Sequence, residues 1–127
     1  MDALAHVDVW GVNSYRGASF GDLFDRWASL SPRPMWVSEY GADSFSAVLD
    51  AEDEDTQASE VAQLAAEIAS HAAASGGTCL GGCAFEWADE WWKHGPGAPT
   101  KHDAVSTWSQ AGYVDEAMHE EWFVCNP

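Results

Sequence analysis

Arg33-Pro34-Met35-Trp36-Val37-Ser38-Glu39-Tyr40-Gly41-Ala42-Asp43 is a short apolar run that opens after a proline, ends in one carboxylate and breaks at a glycine. A run this short and this apolar reads as a strand covered on both faces, the kind found in parallel sheets. Such a strand delivers Glu39 to the mouth of the sheet, where a positioned carboxylate can do chemistry. Two readings of Glu39 follow: a surface acid at a strand end, and a catalytic nucleophile.

Two further strand-like runs flank this one, Val7 to Val12 and Cys79 to Trp87. Between the first and second, Leu23, Phe24, Trp27 and Leu30 recur at helical spacing and Pro32 and Pro34 close the segment. Between the second and third, Val61, Leu64, Ala65, Ile68 and Ala72 form a helical stripe ended by Ser75-Gly76-Gly77. The order strand, helix, strand, helix, strand predicts consecutive βα units in a parallel sheet. After Trp92 the regularity fades: Gly95 to Asp103, with Pro96 and Pro99, reads as loop, and Val114 to Phe123 as a final helix or covering segment. A three-stranded parallel sheet leaves edges unpaired and has little core, so the chain reads as the end of something larger.

Composition narrows the partners. Of 127 residues 46% are hydrophobic, and 5 Lys+Arg face 21 Asp+Glu for a net charge of −16. That charge repels phosphates, which argues against nucleic acid and anionic membranes as partners. No apolar stretch approaches the roughly 18 residues of a transmembrane helix. The opening Met1-Asp2-Ala3-Leu4-Ala5-His6 lacks the basic and apolar regions of a signal peptide. The acid run Asp50, Glu52, Asp53, Glu54 and Asp55 reads as a solvated loop leading into a helix, since it lacks the spaced acids and central glycine of a calcium loop. Cys79, Cys83 and Cys125 form no paired framework. Cys79 and Cys83, four apart in one strand, sit about 13 Å apart at roughly 3.3 Å per residue and cannot bridge each other. Either could pair with Cys125, but buried free thiols are the simpler reading. Neither CxxC nor HExxH spacing occurs, so no metal and no cofactor are expected.

In a parallel α/β sheet all strand C-termini face one side, so residues far apart in sequence converge there. The expected meeting point gathers Gly11 to Gly17, Glu39 to Asp43 and Phe85 to Lys93. These segments supply carboxylates, a tyrosine, an amide and several indoles, the chemistry of a carbohydrate site: flat rings cover sugar faces while carboxylates attack or protonate the glycosidic centre. Of the eight tryptophans, Trp27 and Trp36 read as core and Trp87 as site, with Trp91 and Trp92 in the loop beyond.

Val7-Asp8-Val9-Trp10-Gly11-Val12-Asn13-Ser14-Tyr15-Arg16-Gly17, Val37-Ser38-Glu39-Tyr40-Gly41-Ala42-Asp43 and Gly81-Gly82-Cys83-Ala84-Phe85-Glu86-Trp87-Ala88-Asp89-Glu90-Trp91-Trp92-Lys93 together resemble strands six, seven and eight of clan A retaining glycoside hydrolases. The patterns are those of family 2 catalytic domains and related β-glucanase and glucanosyltransferase-like proteins. The ending Glu120-Glu121-Trp122-Phe123 is also similar to the close of such domains. The resemblance implies an α/β fold, a partial TIM (β/α)8 barrel made of its last three βα units, with residues 1–127 as the C-terminal portion of the catalytic domain. It implies Glu39 as nucleophile and Tyr15 as the donor that orients it. Trp87 would floor the sugar subsite; Asn13, Trp91 and Asp89 complete the expected substrate-binding set, and Asp43 would stabilise the turn. Independently of the resemblance, a nucleophilic carboxylate must stay charged near neutral pH, which calls for a donor such as Tyr15.

Retaining catalysis needs two carboxyl groups about 5–5.5 Å apart. In this clan the acid/base is a Glu after an Asn at the end of strand four, and no Asn-Glu pair occurs here. A complete barrel takes about 250 residues, so absent strands would account for the absent acid. Glu86 is a poor substitute, because alternation points it away from the face of Trp87. The sequence thus predicts a retaining β-glycosidase or transglycosylase acting on a β-linked glycan, inactive without the missing N-terminal part of the barrel as its partner. A second reading is a non-catalytic carbohydrate-binding or assembly module. A third, an unrelated α/β enzyme, finds no GxSxG, P-loop or GxGxxG after any strand. The compartment is not fixed by the sequence, although enzymes of this type are often exported.

Overall fold

The computed structural model describes residues 6–93, 101–105, 108–109 and 112–124. In chain order the elements are β1 (Trp10–Asn13), α1 (Leu23–Leu30), β2 (Met35–Tyr40), β3 (Phe45–Ser46), β4 (Ala51–Glu52), α2 (Glu54–Ser70), β5 (Cys79–Ala84), β6 (Trp108–Ser109) and β7 (Ala117–Met118). Short 3-10 turns cover Ala73–Ser75 and Glu120–Trp122.

Strands β1, β2 and β5 form one parallel sheet with β2 in the centre. In β2 the register breaks the simple alternation: Val12 pairs Val37 but Asn13 pairs Glu39, and Gly82 pairs Val37 but Ala84 pairs Tyr40. Both neighbours therefore see a bulge in β2 just before its end. Met35 and Val37 are buried, and strict alternation would bury Glu39 after them; the bulge hands that place to Tyr40 and leaves Glu39 half-exposed.

The helices cover the face that Met35, Val37 and Tyr40 present. Phe20, Phe24, Leu64, Ile68 and Cys79 pack there, with Leu23, Trp27 and Val61 at the margin. Full burial of a side chain such as Leu64 or Phe20 stabilises the fold by about 1.5–3 kcal/mol. Helix α2 buries Gln57, Glu60, Leu64 and Ile68, one stripe at helical spacing. Its start is set by Asp53, whose carboxylate accepts from Thr56 N at 3.1 Å, with Glu54 and Asp55 favourably placed in the first turn. The acid run is therefore not a plain loop: Glu52 lies in β4 and the next three acids cap and open a helix.

The expectation of a partial (β/α)8 barrel, its last three βα units, is contradicted. The chain is a small domain with two α-helices among the described residues, a three-stranded parallel sheet and two short antiparallel pairs, β3–β4 and β6–β7. The third unit has no helix among the described residues. Instead β5 stops at Ala84, because Glu86 N donates to Phe123 O at 3.1 Å and the chain leaves the sheet to pair with the C-terminal segment. Of the two expectations for Val114 to Phe123, a final helix or a covering segment, it is the covering segment that forms. Glu116 takes a left-handed backbone, and the Asp115 carboxylate accepts from Ala117 N at 3.1 Å and from Ala47 N at 2.7 Å, a local competitor to helical bonding. Tyr113, Met118 and Phe123 then join Ala42 in a second core at the C-terminal ends of the strands.

Trp27 and Trp36 are half-buried rather than core; Trp27 stacks on Trp10 at 6.2 Å, and Trp36 lies beside Gly81. Cys79 is buried and Cys83 exposed, both as free thiols, while Cys125 and most of the Gly95 to Asp103 loop lie outside the described residues. No helix is long and apolar enough to cross a membrane among the described residues.

Candidate functional site

The ends of the three parallel strands meet. Ser14 N donates to Glu39 O at 2.9 Å and Phe85 N to Tyr40 O at 2.7 Å, so the segments after β1 and β5 lie against the end of β2. The peptide between Phe85 and Glu86 is cis. Within this junction Tyr15 donates its phenolic hydrogen to Glu39 Oε2 at 3.1 Å. The Tyr15 ring stands edge-on to Phe85 at 6.4 Å and to Phe123 at 5.8 Å, which fixes its direction. Burial first, then the Glu39 charge and the hydrogen bond to it, hold the phenol well above its ordinary range, so it stays a donor throughout the physiological range.

Tyr15, Glu39, Phe85, Lys93, Glu120 and Phe123 line one small pocket of about 50 Å³. Lys93 Nζ is 2.6 Å from Glu90, 3.9 Å from Glu120 and 5.2 Å from the centre of the Phe85 ring. Desolvation pulls the ammonium down, but Glu90, Glu120 and Glu86 outweigh it and raise Lys93 overall. Burial, followed by the neighbouring Glu90 carboxyl, pushes Glu86 up to about 7. The pocket therefore places a carboxylate with its donor, a second carboxyl and an ammonium between two aromatic walls.

Of the sequence-predicted residues, the structure brings together Glu39 and Tyr15. Asn13 is exposed, its side-chain oxygen accepting from Ser38 Oγ at 2.8 Å, and it does not line the pocket. Trp87 lies past the end of β5 with 89% of its surface exposed, so strand alternation decides neither its direction nor that of Glu86. Trp91 is half-buried and packs edge-on to Trp92 at 5.5 Å. Asp89 ties segments together: it accepts from Val124 N at 2.7 Å and sits 3.2 Å from His102 Nε2. Sequence reasoning gave no role to Lys93 or Glu120. Their signal was composition for the first, one of 5 basic residues in a chain of net charge −16; for Glu120, only the fold brings it near.

Asp43 belongs to a separate buried centre. It accepts from His119 N at 2.9 Å and from His119 Nδ1 at 2.8 Å, which clamps the C-terminal segment to the loop after β2. Burial pushes its carboxyl up to about 6 against the lowering effect of His119. Tyr113 donates to Gly41 O at 2.9 Å in the same layer. Beside it, Asp43, Ser44, Asp53, Thr56, Glu60 and Asp115 are among the residues around a small cleft of about 30 Å³. No group of three or more His, Cys, Asp or Glu is placed to hold a metal ion among the described residues.

Comparison with protein-family models, with curated proteins and with solved structures finds no match to this chain.

Proposed function

We propose that the Glu39 pocket is a retaining β-glycosidase or transglycosylase site. The observation that carries this reading is the bond from Tyr15 to Glu39 at the junction of three strand ends. A carboxylate lifted out of the core by a bulge and held by a phenol is oriented to attack. The three motifs that resemble clan A retaining glycoside hydrolases point to the same residue. Glu39 attacks the anomeric carbon, a covalent glycosyl-enzyme forms on it, and water or an acceptor sugar resolves that intermediate. The substrate class this reading implies is a β-linked glycan, and the net charge of −16 disfavours nucleic acid as a partner.

The test is the anomeric configuration of the first product, followed by proton NMR during hydrolysis of a β-gluco-oligosaccharide. The reading expects the β-anomer first and no product from Glu39→Gln. The α-anomer first, or turnover that survives Glu39→Gln, contradicts it.

The exposed indoles favour a second reading. Trp87 at 89% and Trp92 at 58% exposure offer flat faces to solvent outside the pocket, as a non-catalytic carbohydrate-binding module would. Glycan binding that survives Glu39→Gln, is lost on Trp87→Ala and comes with no hydrolysis would select it.

A further inference from the structure

We infer that residues 119–124 are a cover over the Glu39 site, and that this cover lifts off the strand ends before a sugar ring reaches Glu39. The inference rests on the proposed nucleophilic role of Glu39 and adds a conformational step to it.

The pocket beside Glu39 is about 50 Å³, room for one or two waters, whereas sites that enclose a small organic ligand run to about 300–1,000 Å³. Glu39 keeps part of its surface exposed, so water reaches it, but a pyranose ring does not fit beside it. Tyr15, Glu39, Phe85 and Lys93 reach the pocket from the strand ends and the loops beyond them, while Glu120 and Phe123 come from the C-terminal segment. Phe123 is 1% exposed, and its ring centre stands 5.8 Å from that of Tyr15 and 5.8 Å from that of Phe85. Lifting Phe123 away opens the space between those two rings, directly in front of the bond from Tyr15 to Glu39.

The cover is held from two sides in the same way, by a carboxyl group on a loop beyond a strand end that accepts a backbone N–H of the cover and pairs with a histidine. After β2, Asp43 accepts from His119 N at 2.9 Å and from His119 Nδ1 at 2.8 Å. After β5, Asp89 accepts from Val124 N at 2.7 Å and lies 3.2 Å from His102 Nε2. Between these latches Trp122 donates its indole N–H to Asp103 O at 2.8 Å and packs its ring against Phe45 and His102. Ser44 N donates to Trp122 O at 2.8 Å, and Glu86 N to Phe123 O at 3.1 Å. These partners lie in loops rather than in β1, β2 or β5. Asp43 is a buried carboxyl group, which is costly to hold. The cover can therefore come away without unpairing the parallel sheet, and such a segment opens locally at a smaller free energy than the sheet itself.

The test joins amide hydrogen exchange, followed by mass spectrometry, to labelling of Glu39 by 2,4-dinitrophenyl 2-deoxy-2-fluoro-β-glucoside. In the natural chain the amides of residues 119–124 should exchange at least roughly tenfold faster than those of β2, through an opening that leaves β2 protected. Asp89→Ala removes one latch. Exchange of the cover and the labelling rate of Glu39 should then rise together, by the same factor of roughly 10 to 100. Trp122→Phe keeps a ring against Phe45 and His102 and loses only the indole donor; it should raise both rates by a smaller common factor, and it serves where Asp89→Ala does not fold. A cover that exchanges only together with β2 overturns the inference. So does a labelling rate that stays level or falls while exchange of the cover rises. A cover that opens while Glu39 takes no label in any of the three chains refutes the nucleophile reading on which the inference rests, an outcome distinct from failure of the cover alone.

Discussion

Tyr15 and Glu39 are 24 residues apart in sequence and 3.1 Å apart at their polar atoms. The contact exists because β1 and β2 are parallel neighbours, with Ser14 N on the Glu39 carbonyl, and because the β2 bulge frees Glu39 from the core face. Replacing Tyr15 by Phe removes the donor and keeps the ring against Phe85 and Phe123. A hydrogen bond to a charged group contributes about 1.5–3 kcal/mol, so kcat/KM on an aryl β-glucoside should fall roughly 10- to 100-fold while the Tm changes little. Steady-state kinetics beside a thermal melt checks this; unchanged kcat/KM would remove Tyr15 from the site.

Burial of Asp43, which outweighs its bonds to His119, makes stability depend on pH in an unusual direction. The Asp43 carboxyl, raised by burial to about 6 from 3.8, binds its proton more tightly in the folded chain than in the unfolded one. Its stabilising contribution is therefore complete below about pH 4 and lost as pH rises through about 6. Glu60 and Glu86 are raised by burial as well, Glu86 to about 7, and carry the same sign. Urea unfolding should give a lower free energy at pH 7 than at pH 4.5, with Asp43 responsible for at most about 3 kcal/mol. Asp43→Asn should flatten the curve between those values. Stability that climbs through this window contradicts the account.

Gly41 sits where β2 turns into the site, and a Cβ there would overlap the Phe85 carbonyl oxygen. A backbone oxygen cannot rotate aside as a side chain can, so Gly41→Ala should cost about 1–3 kcal/mol. Chemical denaturation measures it. A neutral outcome would mean that the segments after β2 and β5 lie further apart than described.

Asp53 caps α2 through Thr56 N. Asp53→Ala should destabilise the chain by about 1 kcal/mol, read by the same denaturation, whereas Asp55→Ala, in the first turn, should cost less. Equal effects would return the acid run to a solvated loop.

Local pattern made the three parallel strands and two helices legible. The stripe Leu64 and Ile68 and the run Met35 to Tyr40 fall where their periodicity puts them, because amphipathic spacing and burial act on the same residues. The ends were less legible. Sequence reading extended β1 back to Val7 and β5 forward to Trp87, since it cannot foresee that Glu86 N will find Phe123 O. Of the two readings of Val114 to Phe123, final helix or covering segment, the structure takes the covering one, since Asp115 bonds the backbone locally and Met118 and Phe123 pack over Ala42. The barrel came from resemblance of motifs, and three strand ends in order do not determine what closes around them. Glu39 and Tyr15 could be paired in advance because neighbouring parallel strands bring their ends together. Glu120 could not, since its position depends on a C-terminal fold-back held by the Asp43–His119 clamp.

The central claim is that Glu39 is a nucleophile, and covalent trapping addresses it without requiring any second catalytic group. The chain is incubated with 2,4-dinitrophenyl 2-deoxy-2-fluoro-β-glucoside, and intact mass is followed by peptide mapping. The account predicts one fluoroglucosyl adduct, mapped to Glu39 and absent from Glu39→Gln. No adduct, or an adduct that persists in Glu39→Gln, would contradict it.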